Sequence, residues 1–362
     1  MAKYLSKLAW QVAKIEMRLY ALLRNNNPRD GVIVVATTYM GDFVMTIPLI
    51  EQIIKTSNES VDVAVRRGNV DIARIIPGVR HVYTIEKSYQ SWAALKNSRG
   101  WNICVLALDN KWARFIRGVG CNQIIGFECE DQRWNDLLDV RIKPSPGPHY
   151  LGVWVQELWR DRVKFDPVSK PDFRGCISQG IDESKRSGIF VQLGASASSR
   201  TWPYENYKTV IEWLVQRGEQ VLLAGGGKEK TTGERLMKES GRGGGIELII
   251  DNHSKLDELR LLIKSKLYFG PDTGMTHMAR LLGVPVVCMM GPSQLEVFSY
   301  KSGKNMDIYI NNLKCRDKRT LFGIDFNGVR TCGRSRCPVE GFPCMSIGPS
   351  LVIEKMEDIL SA

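Results

Sequence analysis

Short, mainly apolar segments alternate with helical stretches along most of this 362-residue chain. The first such segment, Val32–Ala36, ends in a glycine-containing turn, and the helical stretch Phe43–Lys55 follows it. Apolar runs of this length are typical of parallel strands that are buried on both faces. The repetition of strand and helix therefore predicts an α/β fold with a doubly wound sheet.

The alternation occurs twice, and a segment rich in Pro, Ser, Gly and charge separates the two series. The first series predicts strands at Val32–Ala36, Val61–Val65, Val82–Ile85, Ile103–Leu108 and Gln123–Ile125. The second predicts strands at Ile189–Leu193, Gln220–Ala224, Glu247–Ile250, Leu267–Gly270 and Pro285–Met290. A chain of this length fits two domains, and two open sheets in tandem predict a ligand cleft at the carboxyl ends of their strands.

These patterns predict where the domains begin and end. The expected segments are an amphipathic helix over 1–30, a first α/β domain over 31–170, a linker over 171–187, a second α/β domain over 188–348 that includes a Cys-rich segment over 315–344, and a C-terminal helix over 349–362. That last helix could return to brace the first domain.

The formal net charge of +11 is concentrated near the two ends of the chain. Residues 1–30 hold six Lys/Arg against two Asp/Glu, and residues 301–346 hold nine against four. Such basic segments suit an anionic membrane, nucleic acid or phosphorylated substrates. The N-terminal segment, with apolar residues at spacings of three and four, predicts a helix that lies on a membrane surface or packs on the first domain.

No stretch of the sequence has the composition of a membrane span. The least charged one, Leu281–Leu295, is short and contains two Gly and two Pro residues. Charged residues also interrupt the apolar core that a signal peptide would need near the N-terminus. We therefore expect a cytoplasmic protein.

The first candidate site is the turn after the first predicted strand, where Asp42 begins the following helix. An aspartate at this position often caps the helix and does nothing more. A carboxylate at a βα turn that faces a cleft can equally act as a general base.

The second candidate site lies where the predicted strand Leu267–Gly270 runs into a helix. Asp272 precedes the backbone amides of Thr273 and Gly274, which a phosphate could accept as hydrogen-bond donors at the helix start. Asp272 itself can accept hydrogen bonds from sugar hydroxyls. His277, one turn later, fits a packing or orienting role better than that of a proton carrier.

Two further turns add charged side chains. Arg200 follows a turn of small residues and could neutralise a diphosphate, although it could also be a solvated surface residue. Lys228 and Glu229 follow the glycine-rich turn after another strand, where they could contact the phosphate or ribose of a nucleotide. None of these turns contains the G-x-G-x-x-G or Walker A pattern, which argues against a dinucleotide or P-loop site.

Five motifs follow one another along the chain: Met40–Leu49, Arg200–Pro203, Asp272–His277, Gly283–Pro285 and Gly291–Ser293. In order and spacing they resemble glycosyltransferase family 9, the bacterial heptosyltransferases that build the lipopolysaccharide core from ADP-heptose. The resemblance implies a GT-B fold of two Rossmann-like domains, an N-terminal one for the acceptor and a C-terminal one for the nucleotide sugar. It also implies an inverting sugar transfer that requires no metal.

The resemblance assigns roles to individual residues. Asp42 matches the general base of the family, Asp272 its contact to the donor sugar, and Thr273 and Gly274 its phosphate-binding amides. Arg200 stands where several members have Lys, so diphosphate binding is expected to be preserved, although not necessarily with the same geometry.

The resemblance also covers the Cys-rich segment. Cys315, Cys332, Cys337 and Cys344 suggest a structural site for Zn or Fe, although their spacing departs from C-x₂-C knuckles. The alternative is four reduced thiols. One branch of the family, the autotransporter heptosyltransferases, has a cysteine-bound iron finger, so a protein acceptor also stays open.

The sequence as a whole predicts a heptosyltransferase that acts on a phosphorylated glycolipid of the lipopolysaccharide inner core, at the cytoplasmic face of the bacterial inner membrane. We expect ADP-heptose, the glycolipid and an anionic membrane surface as partners, no nucleic acid, and no cofactor in catalysis. The alternatives are a protein heptosyltransferase, a GT-B enzyme that uses another sugar nucleotide, including an epimerase, and a non-catalytic metal-finger protein that binds nucleic acid.

Overall fold

The computed structural model divides the chain into two compact units, Met1–Pro171 with Arg319–Gly328, and Asp172–Lys318 with Val329–Ala362. The structure describes residues 12, 15, 30–86, 89–96, 98, 100–147, 149–162, 182–241, 244–251, 253–299, 305–334, 337 and 339–361. The predicted N-terminal helix lies outside the described residues except at Val12 and Ile15, and the predicted linker lies largely outside them.

The first unit is built on a sheet of six parallel strands. These are β1 Val32–Ala36, β2 Val61–Val65, β3 Val79–Thr84, β4 Trp101–Leu106, β5 Cys121–Phe127 and β6 Val140–Ile142. Their spatial order is β3-β2-β1-β4-β5-β6. Val32 pairs with Val61 on one side and Ile103 on the other, so β1 lies in the middle, where its five residues are all buried.

Helices connect these strands. They are α1 Met40–Thr56, α2 Val70–Arg74, α3 Tyr89–Lys96, α4 Ala113–Val119, α5 Gln132–Asn135 and α6 Leu151–Gln156. Helix α6 ends at Gln156, and 3₁₀ turns continue the chain to Arg162.

The second unit repeats the architecture. Its strands are β7 Ile189–Gln192, β8 Val221–Ala224, β9 Ile246–Leu248, β10 Leu267–Pro271, β11 Val286–Met289 and β12 Asn305–Ile308. Its helices are α7 Tyr204–Gln216, α8 Lys230–Ser240, α9 Lys255–Lys264, α10 Gly274–Leu281, α11 Leu295–Phe298 and α12 Pro349–Leu360. The strand order β12-β11-β10-β7-β8-β9 is again that of a doubly wound parallel sheet, so the predicted fold class is confirmed.

In each sheet the direction of winding reverses once, between β1 and β4 in the first unit and between β7 and β10 in the second. The connections from these two neighbours leave on opposite sides, which opens a crevice at their carboxyl ends. Ligands bind at such a switch point in open α/β sheets. The topology therefore marks one position in each unit before any side chain is considered.

Buried apolar side chains hold two segments near the C-terminus. Helix α12 packs on α7 and β11 of the second unit, with Val352, Met356 and Ile359 in that unit's core. Part of the Cys-rich segment, Arg319–Gly328, belongs to the first unit. Buried apolar side chains drive both placements, since Phe326 is also fully buried.

Within the described part of the chain, no helix combines the length and the apolar character that crossing a bilayer demands.

Candidate active site

The switch point of the second unit brings together Arg200, from the loop after β7, and Asp272, from the turn after β10. The Arg200 guanidinium donates a hydrogen bond from Nη1 to the Asp272 backbone oxygen at 3.1 Å, and the same nitrogen lies 3.7 Å from Oδ2 of the carboxylate. Arg200 is only half-buried, so its remaining donors are available at the crevice. The two residues predicted to contact a nucleotide sugar thus form one charged pair.

Asp272 is a buried carboxylate that neighbouring groups keep ionised. Ser293 donates its hydroxyl to Oδ2, and His277 Nε2 lies 3.1 Å from Oδ1. Burial by itself raises the pKa of Asp272, but His277, Arg200 and Ser293 outweigh burial and hold the pKa well below its usual range. His277 is itself buried against Asp272, which is the placement of an orienting group.

Replacing Asp272 with Asn tests this arrangement. We expect the free energy of unfolding at pH 7 to fall by about 3 kcal/mol, because Arg200 and His277 lose their buried anionic partner. A lowered pKa contributes stability above the unfolded-state value near 4, and that contribution is lost as the pH falls below it. In urea unfolding, the difference in free energy of unfolding between wild type and Asp272→Asn should therefore shrink by about 1 kcal/mol as the pH falls from 4 to 3.

The exposed Asp257 in the same unit, which pairs with Arg260, provides the control for this measurement. Asp257→Asn should change stability little at pH 7. A difference between wild type and Asp272→Asn that stays constant down to pH 3 would contradict the ionised state assigned to Asp272.

The first turn of α10 offers backbone donors beside Asp272, although not the pair that the sequence suggests. The Thr273 amide already donates to Thr276 Oγ1 at 3.2 Å, and that hydroxyl donates to the Pro271 carbonyl at 2.7 Å. The amides of Gly274 and Met275 occupy the first two helical positions, where no intrahelical acceptor exists. The structure thus favours Gly274 and Met275, and not Thr273, as the amides that face an anion.

A buried ion pair fixes the opposite end of α10. Arg280 is almost completely buried, pairs with Asp307 of β12 and donates to the Phe298 carbonyl at 2.9 Å. Ser299 donates its hydroxyl to the same aspartate. The sequence gives no sign of this anchor, because an arginine on an amphipathic helix normally faces solvent.

Lys228 and Glu229 lie at the same carboxyl edge of the second sheet and contact the loop after β7. Lys228 Nζ donates to the Ala195 carbonyl at 2.5 Å and lies 3.4 Å from Glu229 Oε1. Glu229 accepts from the Gly226 amide at 2.9 Å. A Cβ at Gly194 would lie 2.3 Å from the Glu229 carboxylate, so a larger residue there would displace that side chain.

The Cys-rich segment holds the turn that carries Ser293. Arg316 donates to the Gly291 carbonyl at 2.6 Å, while the Cys332 amide and the Thr331 hydroxyl each donate to the Pro292 carbonyl at 3.1 Å. Because Ser293 donates its hydroxyl to Asp272, the Cys-rich segment positions the Asp272 carboxylate indirectly, through Ser293. Sequence reasoning did not identify this role of Gly291–Ser293.

The same segment also holds the loop that carries Arg200. Ser199 donates its hydroxyl to the Arg334 backbone oxygen at 3.0 Å. Beyond the loop, the buried Trp202 donates from its indole nitrogen to the Ile347 carbonyl at 2.9 Å. Both ends of the Arg200 turn are therefore fastened to residues from the C-terminal part of the chain.

The four cysteines of that segment share one neighbourhood without forming a coordination sphere. Burial raises the pKa of the Cys344 thiol to about 11, with Cys337, Cys315 and Cys332 adding to the rise and Arg316 opposing it. Among the described residues, no three His, Cys, Asp or Glu side chains are arranged so that they could hold a metal ion.

Asp42 lies at the corresponding edge of the first unit. It is half-buried in the first turn of α1, immediately after β1, and its backbone oxygen accepts a hydrogen bond from Thr46 at 2.9 Å. The position combines a helix start, which favours a carboxylate, with the switch point between β1 and β4.

A cavity of about 750 Å³ opens in the first unit at this switch point. Thr37–Tyr39 follow β1 and Asp109–Phe115 follow β4, so residues from both central strands line it. The full lining is Thr37, Thr38, Tyr39, Arg66, Ile85, Glu86, Asp109, Lys111, Trp112, Arg114, Phe115, Trp134 and Phe322. Five aromatic side chains line it, and its three cations outnumber its two carboxylates, Glu86 and Asp109.

Comparison with known proteins gives the same family as the sequence motifs. The model of glycosyltransferase family 9 (heptosyltransferase) matches residues 154–322, which include Arg200 and Asp272 but exclude Asp42. Among curated proteins, none matches the chain.

Solved structures share the fold at low sequence identity. The E. coli heptosyltransferase WaaC with ADP-2-deoxy-2-fluoro heptose is 14% identical with a TM-score of 0.68, and the match covers 90% of this chain and 99% of that one. A glycosyltransferase of family 9 from Veillonella parvula is 13% identical with a TM-score of 0.71, over 93% and 99% of the two chains. The iron-containing dodecameric glycosyltransferase TibC from enterotoxigenic E. coli is 14% identical with a TM-score of 0.54, over 92% and 77%.

The family match spans the charged pair at the second switch point, and the structural matches extend over both sheets. The chain therefore carries a glycosyltransferase family 9 region and is a glycosyltransferase with a GT-B-like fold.

Proposed function

We propose that this protein transfers heptose from ADP-heptose to a phosphorylated sugar of the lipopolysaccharide inner core, with inversion at the anomeric carbon. The observation that carries the proposal is the Arg200–Asp272 pair beside the free amides of α10, within the region that matches the heptosyltransferase family. A cation and helix-start amides suit the diphosphate, and a buried ionised carboxylate suits sugar hydroxyls. WaaC, which shares the fold, is described with an ADP-heptose analogue.

In the proposed reaction, Asp42 accepts the proton of the acceptor hydroxyl. The resulting oxygen nucleophile attacks the anomeric carbon from the face opposite to ADP, so the new C–O bond forms as the bond to the diphosphate breaks. Attack from that face inverts the configuration. Arg200 and the Gly274 and Met275 amides hold the negative charge that develops on departing ADP.

A membrane location explains the charge of the two chain ends. The acceptor is then a glycolipid in an anionic bilayer, and the basic residues of 1–30 and 301–346 attract that surface. We accordingly propose that the enzyme works as a peripheral protein at the cytoplasmic face of the inner membrane.

We give a metal no part in the transfer and propose at most a structural one. Four thiols suit Zn or Fe, and TibC is described as iron-containing, but the described residues present no preassembled ligand group. If Cys315, Cys332, Cys337 and Cys344 bind an ion, the Cys337→Ser variant should lose most of the metal that purified wild type carries. Cys129→Ser, outside the segment, should keep it. Equal metal content in wild type and Cys337→Ser would overturn the proposal.

A donor-binding screen tests the nucleotide half of the proposed function. Titration calorimetry with ADP-heptose, ADP-glucose, UDP-glucose and UDP-N-acetylglucosamine should show the tightest binding for ADP-heptose. Tightest binding of a UDP-sugar would redirect the assignment to another GT-B activity. TibC raises the alternative of a protein acceptor. Giving the donor-loaded enzyme either core glycolipid or polypeptide distinguishes the two acceptors.

A further inference from the structure

The cavity of the first unit has one wall that comes from far along the chain. Phe322 lies in Arg319–Gly328, the part of the Cys-rich segment that belongs to the first unit, whereas the other lining residues come from the loops and helices that follow β1 to β5. The six strands of the sheet all come from the first part of the chain, so this wall is an addition to the sheet.

Several contacts fasten this excursion to the first unit. Leu321 and Ile324 exchange two backbone hydrogen bonds, of 3.1 and 2.8 Å, that form a tight turn around Phe322. The Glu130 amide donates to the Gly323 carbonyl at 2.7 Å. Phe326 is buried against Trp154, with ring centroids 4.8 Å apart, so the turn is anchored by its own core residue.

At the tip of this turn, Phe322 adopts a backbone conformation that disfavours its side chain. Its φ is +57°, in the left-handed region where glycine is preferred and a bulky residue is an outlier. Burial does not offset this strain, since the residue is 40% exposed. An exposed aromatic ring held in a strained conformation at a cavity wall points to contact with a ligand.

The rest of the lining indicates the chemistry of that ligand. Tyr39, with Arg66 placed 4.7 Å above its ring, is the other strongly exposed aromatic side chain of the cavity. Lys111 and Arg114 add positive charge on the wall after β4. The Thr37 and Thr38 hydroxyl oxygens are buried and have no hydrogen-bond partner among the described residues. Aromatic faces, cations and unpaired hydroxyls together suit the C–H face, the phosphate and the hydroxyls of a phosphorylated sugar.

We infer that Phe322 is a specificity residue that packs against the acceptor's sugar ring in this cavity, while the cations hold its phosphate. This inference rests on the proposed function, which identifies the ligand of the cavity as the acceptor. The Cys-rich segment then serves both substrates, through Ser293 on the donor side and through Phe322 on the acceptor side.

Glucose 6-phosphate binding to the full chain tests this inference, with glucose and inorganic phosphate as separate arms in ligand-observed NMR. Wild type should bind glucose 6-phosphate more tightly than either component. Phe322→Gly, which relieves the backbone strain, should weaken glucose 6-phosphate binding by about tenfold and leave phosphate binding unchanged. Its Tm should equal or exceed that of wild type. Phe322→Tyr, which keeps the ring, should bind like wild type.

Phe342 provides a matched control, because it is also an exposed phenylalanine at positive φ but does not line the cavity. Phe342→Gly should leave glucose 6-phosphate binding unchanged. Equal binding by wild type and Phe322→Gly, or no preference of wild type for the sugar phosphate over phosphate, would overturn the inference. If only the proposed function is wrong, the chain will not transfer heptose from ADP-heptose, yet Phe322→Gly will still weaken sugar-phosphate binding.

Discussion

Asp42→Asn is expected to lower kcat by about 10³-fold while leaving the KM for ADP-heptose and the fold unchanged. The amide keeps the size and position of the carboxylate but cannot accept a proton from the acceptor hydroxyl. Loss of one charge from the first turn of α1 costs only about 0.5 kcal/mol of helix stability. Steady-state release of ADP, with thermal unfolding in parallel, measures both quantities.

Asp71 supplies a matched control for this variant, because it also occupies the first turn of a helix in the first unit and is exposed. Asp71→Asn should retain full activity. A kcat for Asp42→Asn within threefold of wild type would show that Asp42 is only a helix cap and that another group acts as base.

Arg200→Ala is expected to raise the Kd for ADP by about 10- to 100-fold. A charge-assisted hydrogen bond contributes about 1.5–3 kcal/mol, and each 1.4 kcal/mol corresponds to a factor of ten. The loss should lie toward the upper end, because removing Arg200 also leaves the Asp272 carboxylate without its cation beside the incoming diphosphate. Calorimetric titration of ADP into the full chain gives the Kd directly.

Arg200→Lys should weaken ADP binding less, since the charge stays but the fork geometry is lost. Arg235, which pairs with Glu239 on the surface of α8, serves as the control, and its alanine variant should bind ADP like wild type. ADP binding by Arg200→Ala that equals wild type would remove Arg200 from the donor site.

Most of the fold could be predicted from the sequence, because the central strands are apolar on both faces. The two strands that escaped prediction, Val140–Ile142 and Asn305–Ile308, lie at sheet edges, where a strand needs less apolar surface. The short helix Ala113–Val119 was missed for a related reason, since its two arginines interrupt the apolar pattern.

The candidate site was predictable where a motif places a charged residue directly after a strand, as for Asp42, Arg200 and Asp272. What could not be predicted depends on contacts that the sequence pattern does not reveal. Only atomic positions show that the Thr273 amide donates to Thr276 and that Ser293 donates to Asp272. The return of Phe322 to the first unit has no local signal, because its anchor is the tertiary burial of Phe326.

The central claim is that the chain transfers heptose from ADP-heptose to a phosphorylated core glycolipid. Incubation of the purified full chain with ADP-heptose and a defined core acceptor, with and without the acceptor phosphate, tests it most directly by mass spectrometry of the glycolipid and quantification of ADP. The account predicts acceptor that gains one heptose unit, stoichiometric ADP, and a markedly lower rate with the dephosphorylated acceptor. ADP release without any glycolipid product, or equal product from UDP-sugars, would contradict it.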